Sequence, residues 1–237
     1  MPVKPKRKPL KRWGEPHRFI ESTPEISKKE AFFLKSGKEI IELSKNREER
    51  SVGPDLEKYK TFELKHKGKH IIRIHTHGPG IRHMPSPADI AVFFMDFYDN
   101  LLTENNRTIY DPVKKEDLRN AKSEVVSIID EKGKETGRIH VHLSLEAINQ
   151  LKEYFFMMSV ATKTKIENKI SWDIEQITRK LILEKHRKNI QLTDDQKYRL
   201  QLKATKYYYE EILKMNMHFN PMPGYKYNEK LCEFEKS

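Results

Sequence analysis

The sequence predicts an α/β fold of the α+β kind, a mixed sheet with flanking helices, followed by a mostly helical C-terminal extension. Two β-rich stretches, "KHIIRIHTH" and "SEVVSIIDEKGKETGRIHVHLS", read as strands. Between them "ADIAVFFMDFYDNLL" repeats apolar residues at helical spacing. Beyond residue 144 helical periods dominate.

Each element has its local reason. "PEISKKEAFFLK" (24–35) follows Ser22-Thr23-Pro24 and reads as a helix start; Gly37 then punctuates, and "KEIIEL" reads as a short strand. Residues 60–65 alternate apolar and polar. "KHIIRIHTH" is a buried strand, and "GPGIRHMPSP", with two Gly and three Pro, is a loop. Ser86 is a good N-cap, and Pro87 suits the first helical position after it. The helix that follows has an apolar face at Ile90, Phe93, Phe94, Phe97 and Leu101. The second β-rich stretch folds back on a Gly-containing turn as a hairpin. "LEAINQLKEYFFMMSVA" is helical, residues 165–189 carry Ile166, Ile170, Ile174, Ile177 and Leu181 at helical spacing, and Thr193 caps another helix. The tail "FNPMPGYKYNEKLCEFEK" reads as turn, then strand. The chain thus divides into a basic arm (1–19), an α/β part (20–143) and the helical extension (144–237).

Composition narrows the function classes. Of 237 residues, 36% are hydrophobic, enough for a sizeable core, and 46 Lys and Arg against 35 Asp and Glu leave +11. That charge favours an acidic partner, nucleic acid or an acidic protein face, without choosing between them. The single cysteine, Cys232, excludes an internal disulfide and a cysteine-based zinc cluster. No apolar run is long enough to span a membrane. The arm "MPVKPKRKPLKRWG" is basic but lacks the apolar core of a secretory signal, so a cytoplasmic location is expected. It offers a route to nucleic-acid phosphates, or serves as a solubilising tail.

The chemistry concentrates in residues 75–89. His75 and His77, two apart on a strand, point the same way and can reach one metal ion from a rigid edge. Asp89, in the first turn of the next helix, supplies a third ligand if the loop folds back. Two His and one carboxylate leave one corner of a tetrahedral zinc open, the pattern of catalytic sites, where a water is activated. Such a site also needs a general acid/base and a donor for the developing oxyanion, and Ser86 is placed for the second task. A second His-x-His, His140 and His142, lacks the following loop and Ser-x-x-Asp. His83, in the loop, reads as solvated or substrate-facing rather than as a ligand.

"HTHGPGIRHMPSPAD" resembles the His-x-His … Ser-x-x-Asp signature of the JAMM (JAB/MPN) metalloprotease family. The resemblance covers roughly residues 20–140 and implies a JAB/MPN-like mixed sheet with flanking helices over 20–143. It implies one Zn2+ per chain, held by His75, His77 and Asp89, with Ser86 stabilising the tetrahedral intermediate. The family's general acid/base is an upstream glutamate near the end of the first helix. In "KKEAFFLKSGKEIIEL" this maps to Glu30, with Glu39, Glu42, Glu48 and Glu49 as competitors. Two departures stand out: Gly78 replaces the usual Pro after the second His, and the loop to Ser86 is one residue longer than the commonest form. The implied activity is peptide or isopeptide hydrolysis, commonly at the tail of ubiquitin or a ubiquitin-like modifier.

The alternative class is a non-catalytic JAB-fold scaffold or a basic nucleic-acid-binding protein. In "KATKYYYEEILK" the tyrosines suit base stacking, but Tyr207, Tyr208 and Tyr209 cannot all face one way on a helix, so at least one or two serve packing. The apolar stripes of the C-terminal helices need burial, either on the α/β part or on a second copy in a homodimer.

Overall fold

The computed structural model describes residues 30–47, 52–67, 69–78, 84–105, 111–120, 123–157 and 163–237. In chain order the first elements are β1 (Phe32–Ser36), β2 (Glu39–Glu42), β3 (Ser44–Arg47), β4 (Val52–Pro54), α1 (Leu56–Lys65), β5 (Ile72–His77) and α2 (Pro87–Asn105). Next come β6 (Ser123–Ile129), β7 (Glu135–His142), α3 (Leu145–Met157), α4 (Lys163–Arg187) and α5 (Asp194–Tyr207). A π-helical turn (Tyr208–Ile212) leads to β8 (Asn216–Pro221), β9 (Tyr225–Asn228) and β10 (Glu233–Lys236). The fold is mixed α/β. Its main sheet has six strands in the order β2-β1-β5-β6-β7-β8, while β3–β4 and β9–β10 form separate two-stranded pairs.

The β5–β6 pair is parallel, whereas its neighbours in the main sheet are antiparallel. A parallel pair cannot be closed by a hairpin, so the chain must cross over between the two strands. Helix α2 lies in that crossover. Its apolar face, with Ile90, Phe93, Phe94 and Phe97 buried, packs in one cluster with Val126 and Ile128 of β6 and Ile139 and Val141 of β7. The β6–β7 turn is built as the sequence suggests. Asp130 accepts from the Lys132 and Lys134 N–H groups at 2.9 Å each, and Gly133 takes φ +75°.

The N-terminal reading needs correction. Residues 32–35 of the segment expected to start a helix lie in strand β1, and 24–29 lie outside the described residues. Both sides of β1 are buried: Phe32 and Leu34 pack with Leu43 and Phe62, while Ala31 and Phe33 pack with Ile74 and Val125. An unbroken apolar run of this length is a strand buried on two faces, which periodicity alone does not separate from a short helix. The alternation over 60–65 falls within helix α1. Asp55 caps that helix, accepting from the Glu57 and Lys58 N–H groups at 3.2 Å each.

Residues 144–237 supply three helices and three strands, and they build onto the same core. Ile166, Ile170 and Ile174 of α4 join the cluster formed by α2 and the sheet, so this part of the stripe is buried without a second copy. Strand β8 pairs with β7, and the β9–β10 hairpin sets the Phe234 ring against Gly137 of β7, where a Cβ would clash. Among the described residues no helix is long and apolar enough to cross a membrane. Cys232 is buried and free.

His140 and His142 lie on the sheet face opposite Ile139 and Val141, away from the face that α2 covers. Burial, reinforced by neighbouring cations and imidazoles, pushes each down to about 4. An unfolded histidine titrates near 6.5, so below roughly that pH the unfolded chain binds protons that the folded chain refuses. The contribution of these two imidazoles to stability is complete above this range and falls with added acid toward pH ~4. The loss at about pH 5 is on the order of 2 kcal/mol per imidazole. Urea unfolding of the wild type and of His142→Gln between roughly pH 7.5 and 5 checks this: the stability difference between the two is expected to shift in the variant's favour as acid is added.

Candidate metal centre

Strand β5 ends at His77, and its alternation sends His75 and His77 to the face shared with α2. Both are buried, and their Nε2 atoms are 3.0 Å apart. Asp89 reaches the same point from the first turn of α2. Its Oδ2 lies 3.4 Å from His75 Nε2 and 3.9 Å from His77 Nε2. Ligands about 2.0–2.1 Å from a tetrahedral ion stand about 3.3 Å from one another. The three separations bracket that value, and the donor set of two imidazoles and one carboxylate suits zinc. Among the described residues these three form the one group of this kind; His140 and His142 gain no third ligand.

Asp89 is held by the helix start itself. The Ser86 N–H and Oγ donate to Asp89 Oδ2 at 2.6 and 2.7 Å, and the Asp89 N–H donates back to Ser86 Oγ at 3.2 Å. This is a reciprocal capping box with Asp in the position usually taken by Glu or Gln. Ser86 is therefore an N-cap, as its sequence position suggests, and its hydroxyl proton is engaged by the carboxylate.

Glu30 enters the site beside strand β1. It stands two residues before that strand, and residues 24–29 lie outside the described residues. The Ala31 N–H donates to Thr76 Oγ1 at 2.8 Å, and the Thr76 N–H donates to the Ala31 carbonyl at 2.9 Å. With Phe32 opposite His75, this register places Glu30 beside His77. Its Oε1 is 4.0 Å from His77 Nε2. Burial, partly offset by His75, pushes the Glu30 carboxyl up to about 7. Of its competitors, Glu39 pairs with Lys65 and His66 at 2.7 and 3.0 Å, and Glu42 is exposed on β2. Glu48, Glu49, His83 and the basic arm lie outside the described residues.

One participant escaped the sequence reading. Glu124 of β6 is 1% exposed and accepts at 2.8 Å from His75 Nδ1. Its other oxygen lies 3.2 Å from Arg73 Nε. Arg73 Nη1 is 3.5 Å from Asp96 Oδ2, to which the Tyr59 hydroxyl donates at 3.1 Å. The carboxylate holds a proton on Nδ1 and turns Nε2 toward Asp89, the outer arrangement that orients metal-binding histidines. A signal was present: a glutamate inside the apolar run "SEVVSII" demands a buried partner.

The electrostatics ask for a cation. Burial opposes a charge on His75, but Asp89 and Glu124 outweigh it and push the imidazole up to about 10. Burial likewise opposes charge on Asp89, yet His75, His77 and Ser86 hold its carboxyl far below the usual carboxylate range. The residues therefore fit a divalent ion in donor type, spacing and charge.

Purified protein is expected to carry about one zinc per chain by elemental analysis, lost in His77→Ala. Glu124→Gln keeps the volume but weakens the acceptor facing His75, and is expected to lower zinc affinity by ~10–100-fold in chelator competition. No protein-family model, no curated protein and no solved structure matches this chain.

Proposed function

We propose that the chain is a zinc-dependent peptide or isopeptide hydrolase of the JAMM type. In this reading it cuts the tail of a ubiquitin-like modifier or another protein C-terminus. The observation that carries the reading is the convergence of His75, His77 and Asp89 with a buried glutamate, Glu30, at their edge. The signature "HTHGPGIRHMPSPAD" supports it independently.

His75, His77 and Asp89 would hold the ion. A zinc ion in such a site acts as a Lewis acid and lowers the pKa of water. The chain's own residues perform the proton chemistry. Glu30, with a carboxyl near 7, is balanced between taking and giving a proton at neutral pH. It takes a proton from the attacking water as oxygen bonds to the scissile carbonyl carbon. It then returns that proton to the nitrogen as the C–N bond breaks, leaving a carboxylic acid and a free amine. Ser86 holds Asp89 through its backbone N–H, so that its hydroxyl proton can leave the carboxylate and turn toward the carbonyl oxygen to stabilise the tetrahedral intermediate. Glu124 keeps the His75 tautomer fixed throughout.

The test is cleavage of ubiquitin-like conjugates and of C-terminal fusions by zinc-loaded protein. Glu30→Gln is expected to lose ~10²–10⁴-fold in rate while retaining its zinc. If the wild-type protein leaves every such substrate intact with its metal site full, the hydrolase reading fails. Salt-sensitive retention on nucleic acid by that same inactive protein would favour the basic binding protein instead.

A further inference from the structure

The π-helical turn after α5 buries two adjacent tyrosines. Successive residues of an α-helix point about 100° apart, so neighbouring side chains face different surroundings. Tyr207 is 51% exposed, while Tyr208 and Tyr209 are fully buried. The turn closes through the Leu213 N–H to the Tyr208 carbonyl at 2.8 Å, the wider π spacing. The Tyr208 hydroxyl donates to Asp173 Oδ2 of α4 at 2.9 Å, a contact internal to the C-terminal helices. The Tyr209 hydroxyl crosses 124 positions of sequence and donates to the Pro85 carbonyl at 3.1 Å.

That carbonyl belongs to the same peptide group as the Ser86 N–H. The peptide is planar and trans, so its oxygen and its hydrogen lie at opposite ends of one rigid plate. Tyr209 holds the oxygen end. The hydrogen end donates to Asp89 Oδ2 at 2.6 Å, the oxygen that faces His75 and His77. Rotation of the plate about its flanking bonds would move both ends together. A donor on the carbonyl also polarises the amide and strengthens its N–H as a donor.

We propose that Tyr209 is a positioning residue of the metal centre. Its hydroxyl fixes the Pro85–Ser86 peptide plane and thereby the carboxylate ligand Asp89. The inference rests on the metal reading of the site and gives the C-terminal segment a part in it. The segment completes the helix start that carries Asp89, from a region outside the one that resembles the JAMM family.

Tyr208 supplies the control. Tyr209→Phe and Tyr208→Phe each remove one buried hydroxyl from the same turn and keep the ring. Full-length protein is titrated with Co2+ alone, with visible absorption reporting affinity and coordination geometry. Ser86 amide hydrogen exchange is followed in the metal-free protein. Tyr209→Phe is expected to weaken Co2+ binding by ~10–100-fold with an altered spectrum, and to speed Ser86 exchange. Tyr208→Phe is expected to leave both near wild type at a comparable melting temperature. Equal losses in the two variants, or wild-type behaviour in Tyr209→Phe, overturn the proposal. If the wild type binds no Co2+, the metal reading fails by itself. The exchange data then decide alone: selective loss of Ser86 protection in Tyr209→Phe sustains the peptide-holding role, and unchanged protection refutes it.

Discussion

Everything at the site depends on two imidazole nitrogens and one carboxylate oxygen converging between a strand end and a helix start. Such a cluster is costly to bury unless something positive occupies it. Asp89 and Glu124 flank His75 and favour its charged form. Outside the three ligands, Arg73 faces Glu124 and Asp96, so the charge of Asp89 is left for whatever sits between the histidines. The cluster thus favours a positive charge between the histidines, and the surrounding network holds the groups that face it.

The topology explains why this convergence occurs where it does. A parallel strand pair forces a crossover, and here the crossover helix begins where strand β5 ends. Ligands in sheets with parallel strands gather at the carboxyl ends of those strands for this reason. The antiparallel neighbour β1 contributes from the other direction, because its residues preceding Phe32 continue alongside His77. Strand end, helix start and strand start therefore meet at one point, each bringing one kind of side chain. Side chains borne on such elements are located more tightly than side chains on loops.

How much of this was legible depends on the range of the interactions. His75, His77, Ser86 and Asp89 could be read from the sequence because strand alternation and helix capping are local rules. The same locality exposed the apolar face of α2, the β6–β7 hairpin and the Thr193 cap. The apolar run around Phe32 and Phe33 misled, because burial on both sides of a strand is decided by neighbours distant in sequence. Glu30 stands beside His77 through register with β5, a pairing that no local rule in the sequence announces. Glu124 was invisible as a participant because its partner His75 lies 49 positions away. Its only local sign was a charge set in an apolar strand.

The C-terminal segment shows the same limit from the other side. Its stripe of Ile166, Ile170 and Ile174 announces a buried helix, yet nothing in that spacing says which surface receives it. Once α4 packs on α2, α5 follows, and the π turn at its end carries Tyr208 and Tyr209 into the interior. The π turn takes one residue more than an α-helical turn would. The extra residue is a local departure from regular geometry, and such departures persist where the surrounding structure over-determines them. Here the surroundings are the α4 carboxylate Asp173 on one hydroxyl and the peptide before Ser86 on the other. The helical bundle and the helix start bearing Asp89 are thereby fixed by the same turn. Packing of the C-terminal part and the geometry of the site are, in this protein, one constraint.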